Sequence, residues 1–375
     1  MDDYKDQKEN QNNQLEHKIE EAEEFEEEPR EEGHDEYSNE DVAEKEPSKV
    51  KRLSFVFWIL FLILLIGGIF GGLIYKTSFT FSKIRVDNNK SNDLALLPLN
   101  KLLPEDDKDR EDILLLGYRA DDDPNGGLLT DTMMVVSIKK STHQVAMISI
   151  PRDIFMKVPG TEIYEKINYA HAYGFMHGGS AQGLLYAKIA VSQVTGLHID
   201  SAVLVNFNAF EELVNALGGV DVYLEKPFKE NEQFSKEMIV DLPAGENHLD
   251  GLSALYFVRS RYTTSDFDRA RRQQQVILAI KDKALSLGVL TNPVKIFNLF
   301  DALGKNVRTD MTNSQISTLV SEYPNIDFSH VKQKVFDTSP EGLLYSSYSE
   351  AGAYILLPVG GSFAKIQQTC KNIFN

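Results

Sequence analysis

Leu53–Tyr75 is a run of 23 residues without one charged side chain, and it constrains this chain more than any other feature. A helix of that length crosses about 30 Å of hydrocarbon with some tilt, and within lipid it satisfies all of its own backbone groups. A cleaved secretory signal has a shorter apolar core, lies near the N-terminus and ends in a small-residue cleavage site. Here about 50 mostly polar residues come first, so the run reads as a permanent transmembrane anchor.

The charge distribution orders what flanks it. Residues 1–50 carry 20 acidic and 6 basic side chains, so most of the formal charge of −17 belongs to this tail. Such a segment buries too little apolar surface to offset its ordering entropy, and a disordered tail over 1–52 is expected. Lys49, Lys51 and Arg52 abut the start of the anchor, while Lys76, Lys83 and Arg85 follow its end. That near tie leans towards a cytoplasmic tail and leaves the orientation open. The lone cysteine, Cys370, excludes an internal disulfide and a thiolate-rich metal site. Beyond the anchor the chain is close to neutral, which argues against a nucleic-acid partner.

Residues 76–110 carry no strong pattern and read as a stalk; residues 111–375 read as one folded domain. Ile113–Gly117 is an apolar run of buried-strand length, and Thr132–Ile138 with Gln144–Ile150 reads as a hairpin. A helical pattern follows the glycines at 178–179 through about Val194, then Ser201–Phe207 reads as a strand and Ala209–Leu217 as a helix. Val220–Leu224 reads as a strand, and Leu255–Val258 as an apolar run ending in a strand-like Arg-Ser-Arg. From about Arg269 to Leu287 apolar residues recur at helical spacing, with further helices over Asn292–Leu303 and Ser314–Ser321 and a strand over Ala353–Leu357. Strands and helices alternating around one hairpin predict an α/β domain with a mixed sheet covered by helices.

Arginine density is the chief chemical signal. Arg259, Arg261, Arg269, Arg271 and Arg272 fall within fourteen residues, and Arg152 directly follows a strand. On a strand Arg259 and Arg261 share a face, and on a helix Arg269 and Arg272 do. Planar guanidinium groups converging in this way suit a polyanion with several oxygens. The bland alternative is a solvated helix start paired with Asp266 and Asp268. The loop Arg119–Asp131 and its surroundings offer Asp121, Asp122, Asp123, Asp131 and Asp153 as oxygen ligands for Mg²⁺, or an Asx-rich surface turn.

Taken in order, ILLLG, TDTMMVVSI, SIPRD, KINYAHAYG, VNFNAF, LGGVDV, LPAGENHLDGLSALYFVRSRY and SDFDRARRQQQ resemble the LytR-CpsA-Psr family of cell-wall glycopolymer transferases, over roughly residues 110–290. The resemblance implies a three-layer α/β/α sandwich, preceded by one transmembrane helix and placed outside the cytoplasmic membrane of a bacterium, with the N-terminus inside. It implies transfer of a polyprenyl-pyrophosphate-linked glycopolymer, such as teichoic acid or capsule, to peptidoglycan. A phosphodiester forms, polyprenyl phosphate leaves, and the lipid lies in an apolar tunnel with Mg²⁺ (or Mn²⁺) on the pyrophosphate. By motif, Asp131 is similar to a metal ligand and Arg152 to a pyrophosphate binder. Arg259 with Arg261, and Arg269 with Arg272, resemble two phosphate-clamping pairs, with Gln275 as a neighbour. Two positions depart from the family. Tyr118 and Arg119 follow Gly117 where Gly-x-Asp is usual, and Leu129 stands where an arginine is usual. Arg119 is the nearest replacement for that charge, and Asp121 or Asp123 for the carboxylate. These departures keep two other readings open: a non-catalytic polyprenyl-lipid or glycopolymer binder, and a polyprenyl-pyrophosphate hydrolase. Membrane lipid is a further partner, and the oligomeric state is open.

Overall fold

The structure, a computed structural model, describes residues 99–120, 127–234, 239–288, 303–304, 306–322 and 326–375. The acidic tail, the expected anchor over 53–75 and most of the stalk lie outside these residues, as does nearly all of the helix expected over Asn292–Leu303. Among the described residues, no helix is long and apolar enough to cross a membrane.

A six-stranded mixed sheet forms the centre, in the order Val307–Thr309 (β11), Ser201–Asn206 (β6), Arg110–Tyr118 (β1), Thr132–Lys139 (β2), Gln144–Ser149 (β3) and Asp327–Val335 (β12). Strand β1 (Arg110–Tyr118) contains the ILLLG run and pairs antiparallel with β2 (Thr132–Lys139), which pairs antiparallel with β3 (Gln144–Ser149). The expected hairpin is therefore present. Strand β6 (Ser201–Asn206) runs parallel to β1 on one side, and β12 (Asp327–Val335) parallel to β3 on the other; β11 (Val307–Thr309) closes the β6 edge.

Both faces of β1 are apolar because both are covered by helices, as a nearly continuous hydrophobic run requires. Leu114 and Leu116 pack with Leu184, Ala187 and Val191 of helix α1 (Tyr169–Thr195). Ile113 and Leu115 pack instead with Ala209 and Leu213 of α2 (Phe207–Ala216) and Ile316 and Leu319 of α5 (Asn313–Glu322). Helix α1 starts nine residues before Gly178, after which the sequence pattern placed its beginning. It breaks at Gly178 and Gly179, where Gly179 takes φ 72°, a left-handed conformation that a residue with a Cβ rarely adopts.

The apolar run Leu255–Val258 is not strand-like but lies in helix α3 (Gly251–Arg259). Four apolar residues alone do not distinguish the two, and the decisive signal is the cap. The Asp250 carboxylate accepts the Ser253 N–H at 2.8 Å, and Ala254, Leu255, Phe257 and Val258 are buried at helical spacing. Helix α4 (Asp266–Ser286) is capped likewise by Ser265, whose hydroxyl accepts the Asp268 N–H at 3.0 Å. A satellite core joins α3 and α4 through Phe257, Val258 and Val276 to Val220 and Val222 of β7 (Val220–Leu224) and Leu249 of β10 (Gly245–Leu249). Beyond these lie four further hairpin strands, β4 (Phe155–Lys157), β5 (Tyr164–Lys166), β8 (Phe228–Glu230) and β9 (Val240–Leu242). The chain ends with the hairpin β13 (Leu344–Tyr348) and β14 (Tyr354–Pro358) and with α6 (Ala364–Lys371), whose Ile366 and Cys370 join the core on the α1 side.

Candidate functional site

Four strand ends and three helix ends meet at one margin of the sheet. Arg119 follows β1, Asp131 precedes β2, Arg152 follows β3, and Phe207 begins α2 directly after β6. Ends of strands in α/β sheets are where side chains from different segments converge on a ligand. Here they line a cleft with about 80 Å³ of free space together with Arg259, Arg261, Arg269, Gln233 and Gln273. Gly117 lets the strands approach closely at this margin, since a Cβ there would lie 2.9 Å from that of Thr132.

Five of the six arginines assigned to phosphate binding from sequence thus reach one cleft: Arg119, Arg152, Arg259, Arg261 and Arg269. Arg259 and Arg261 arrive by a different route from the one their spacing suggested. Arg259 is the last residue of α3, and Arg261 lies in the turn after it. Gln233 sets that turn, its amide donating to the Arg259 carbonyl at 2.9 Å and accepting the Arg261 N–H at 2.7 Å. The buried Glu230 carboxylate accepts the N–H groups of Tyr262 at 2.9 Å and Thr263 at 3.2 Å, as well as those of Glu232 and Gln233. Burial alone would raise its pKa, but these backbone donors outweigh that and hold it below the usual carboxylate range. The Arg259 guanidinium lies 4.4 Å over the Phe207 ring and 5.5 Å from that of Phe234.

Arg272 is not brought to the cleft. It is buried, with Nε donating to the Phe257 carbonyl at 3.1 Å and Nη2 donating to the Ser260 carbonyl and to the Thr264 hydroxyl. Its guanidinium stands 4.4 Å from the Phe228 ring, and burial lowers its pKa to about 10, so it stays charged at neutral pH. Its place is to close the end of α3. Arg272→Ala orphans two buried carbonyls and is expected to cost about 3 kcal/mol in urea unfolding. The donor KM should stay within about twofold where the variant is folded; a selective loss of donor binding without loss of stability would contradict this placement. Gln275 is also elsewhere, donating to the Tyr223 carbonyl at 2.6 Å. The glutamine in the cleft is Gln273, which donates to the Thr132 hydroxyl at 2.9 Å. Its sequence signal is its spacing of four from Arg269, one helical turn on the same face.

Asp266 organises the cations. Its carboxylate accepts Arg152 Nε at 3.1 Å, Arg269 Nη2 at 2.9 Å and Arg261 Nη1 at 3.3 Å. Arg152 also donates through Nη1 to Asp131 at 2.5 Å, and its Nε lies 3.6 Å from Asp153, which in turn accepts from Lys166 at 2.6 Å. Burial would push the Asp266 pKa up, but Arg269, Arg152 and Arg261 outweigh it and hold it below the ordinary carboxylate value. A carboxylate depressed in the folded state contributes stability that is present above its unfolded pKa of about 3.9 and is lost as pH falls through the folded value. Asp266→Asn is therefore expected to cost about 3 kcal/mol near pH 7. That gap should narrow below about pH 4, as the native carboxylate also protonates. Urea unfolding at pH 7, 5 and 3 checks this, and a gap that stays constant with pH would contradict it.

Behind the cleft a narrow crevice of about 20 Å³ shares Asp131, Arg152, Arg269 and Gln273 with it and is walled by Met133, Ile150, Phe267 and Val335. Arg269 stands at the seam. It is 7 % exposed, it donates through Nη2 to the Asp131 carbonyl at 3.1 Å, and its buried Nε has no hydrogen-bond partner among the described residues. A buried guanidinium N–H without an acceptor is costly, and a ligand oxygen in the crevice would satisfy it.

Among the described residues, no three His, Cys, Asp or Glu side chains converge on a point that would hold a metal ion. Asp121, Asp122 and Asp123, three of the five candidate ligands, lie outside the described residues; Asp131 is engaged by Arg152 and Asp153 by Lys166. A single carboxylate at the cleft fits an ion completed by phosphate oxygens rather than a cage built by protein alone.

A model described as the LytR_cpsA_psr family matches residues 72–372. An uncharacterised protein of Staphylococcus aureus is 30 % identical over 79 % of this chain and 72 % of its own. The polyisoprenyl-teichoic acid–peptidoglycan teichoic acid transferase TagU of Oceanobacillus iheyensis is 33 % identical over 73 % of this chain and 82 % of that protein. Among solved structures, TagT bound to LIIa-WTA superimposes with a TM-score of 0.55 at 27 % identity, covering 72 % of this chain and 93 % of that one.

Proposed function

We infer the activity from one premise: the chain belongs to the LytR-CpsA-Psr family. Like the transferases to which it is similar, it moves a teichoic acid or related glycopolymer from a polyisoprenyl carrier to peptidoglycan. The observation that carries the chemistry is the cleft itself. Among the described residues, five guanidinium groups against the carboxylates of Asp131 and Asp266 leave it net cationic, and the buried Arg269 Nε lacks an acceptor. A pyrophosphate supplies several anionic oxygens in a compact group, and planar donors from five directions suit it.

In this reading an acceptor hydroxyl attacks the phosphorus next to the glycopolymer. The bond from that phosphorus to the bridging oxygen breaks, a phosphodiester forms, the hydroxyl's proton passes to water, and polyprenyl phosphate leaves with the negative charge that the bridging oxygen gains. Arg152, Arg259, Arg261 and Arg269 stabilise that charge through donors already held in place, so catalysis is electrostatic positioning rather than covalent chemistry. Arg119 adds positive charge at the mouth. Met133, Ile150 and Phe267 beside Arg269 would face the start of the polyprenyl chain, for which the crevice, at about 20 Å³, would have to widen. Mg²⁺ (or Mn²⁺) is part of the proposal: with Asp131 as its carboxylate ligand it would neutralise charge on the pyrophosphate. The cytoplasmic-membrane location, with tail inside, a helix over 53–75 and the domain outside, belongs to the same reading, as does the three-layer α/β/α arrangement, which the helical cover on both faces of β1 supports.

Incubating the full-length protein with a polyprenyl-pyrophosphate-linked glycopolymer, Mg²⁺ and peptidoglycan tests the reading. Coupled polymer is the expected product. Release of free glycopolymer phosphate without coupling would make the protein a hydrolase, and saturable binding with neither product a non-catalytic binder.

A further inference from the structure

Beside the cleft, the hairpins β4–β5 and β13–β14 enclose a groove that the phosphoryl chemistry leaves unused. A bridge between Ile154 and Leu356 joins the hairpins, and the Leu356 N–H donates to the Asp153 carbonyl at 2.8 Å. The space between them is about 450 Å³, within the range of a small-molecule pocket and roomy enough for consecutive sugar rings. Phe155 and Ile355 line it with apolar surface, and Glu165, Lys166 and Glu350 add charged groups. Tyr164 stands at the groove with 59 % of its surface exposed, held against the Phe155 ring at 6.0 Å between centroids. An exposed aromatic ring fixed by a neighbour is a platform that loses little freedom when a ligand covers it.

The groove lies next to the cleft, linked to it by a chain of side-chain contacts. Lys166 lines the groove and donates to Asp153 at 2.6 Å, Asp153 lies 3.6 Å from Arg152 Nε, and Arg152 lines the cleft. We propose that this groove is the acceptor subsite and that its occupant is the uncharged glycan backbone of the acceptor polysaccharide; this rests on the transferase reading. The charge selects between the two polymers of the reaction. The donor polymer carries phosphates and would meet the carboxylates of Glu165 and Glu350, while Lys166 is already engaged by Asp153. A pyranose ring has an apolar C–H face to lay on Tyr164, and its hydroxyl and N-acetyl donors find acceptors in the two carboxylates. A glycan seated there presents its next hydroxyl towards Arg152 and the cleft.

The test uses the full-length protein in detergent micelles, with the N-acetylglucosamine tetrasaccharide as probe in calorimetry and a lipid-linked glycopolymer with peptidoglycan in the transfer assay. Tyr164→Ala is expected to weaken tetrasaccharide binding and to raise the acceptor KM by about tenfold each, with the donor KM unchanged. Tyr164→Phe keeps the ring and should stay within about twofold of the parent on both. Absent tetrasaccharide binding, or binding that Tyr164→Ala leaves unaltered, overturns the proposal. If the parent protein transfers polymer and Tyr164→Ala has the parental acceptor KM, the groove assignment fails while the transferase reading stands. If the tetrasaccharide binds through Tyr164 but no polymer is transferred, the groove is a glycan site and the transferase reading fails.

Discussion

Replacing Arg259 and Arg261 together by alanine is expected to lower glycopolymer transfer by at least about 10³-fold, with the melting temperature falling by no more than about 5 °C. The two halves of this expectation have separate causes. The turn that carries both residues is held through its backbone, by the Gln233 amide and by the Glu230 carboxylate, neither of which the substitutions touch. The side chains themselves contribute modestly to folding. Arg259 rests on the Phe207 and Phe234 rings, which is worth about 0.5–1 kcal/mol at a partly exposed site, and Arg261 is one of three partners of Asp266. What the double variant loses is charge placed in advance where the leaving phosphate forms, and each such donor typically contributes about 10²-fold or more. Steady-state transfer by the purified full-length variant, with its melting curve alongside, checks both halves. Parental activity in a folded double variant would defeat the phosphate clamp.

Arg152→Ala is expected to have an effect of similar size, about 10³-fold on kcat/KM, by a different route. Arg152 bridges two carboxylates, donating through Nη1 to Asp131 at 2.5 Å and through Nε to Asp266 at 3.1 Å. Its removal deletes one cation and also leaves the Asp131 carboxylate unneutralised at the mouth of a cleft that receives an anion. Arg152→Lys should recover little, because a point charge on a flexible stem does not reach both carboxylates in the fixed fork that Nε and Nη1 provide. A lysine variant with near-parental kcat/KM would show that only the net charge matters.

The sequence was legible where one signal dominated. ILLLG predicted a strand buried on both faces, and the β2–β3 hairpin followed from two apolar runs flanking KKSTH. It was ambiguous where local and tertiary signals competed. Leu255–Val258 is too short for periodicity to tell strand from helix, and the informative residue was Asp250, a cap lying outside the run. Strand β12 was missed altogether, because its sequence DFSHVKQKV alternates lysine and histidine with scattered apolar residues. That is the composition of a protected edge strand rather than of a core strand. The candidate site was half legible. Arginine density marked the right segment, but helical spacing alone did not decide which neighbours face the cleft, and Arg272 turned inward to cap α3 while Gln273 faced it in place of Gln275. Asp266 entered the sequence reading only as a surface salt-bridge partner. Its role as the shared acceptor of three arginines depends on Arg152, 114 residues away in sequence, and no local pattern carries that.

Binding of the lipid-linked donor shows whether separate guanidinium groups converge on one anionic head group. A structure of the full-length protein with a polyprenyl-pyrophosphate glycolipid should place phosphate oxygens about 2.7–3.2 Å from nitrogens of at least three of Arg152, Arg259, Arg261 and Arg269, with the Arg269 Nε among the donors. A head group bound elsewhere, with Arg152 still held between Asp131 and Asp266 and the Arg269 Nε still without an acceptor, would contradict that convergence.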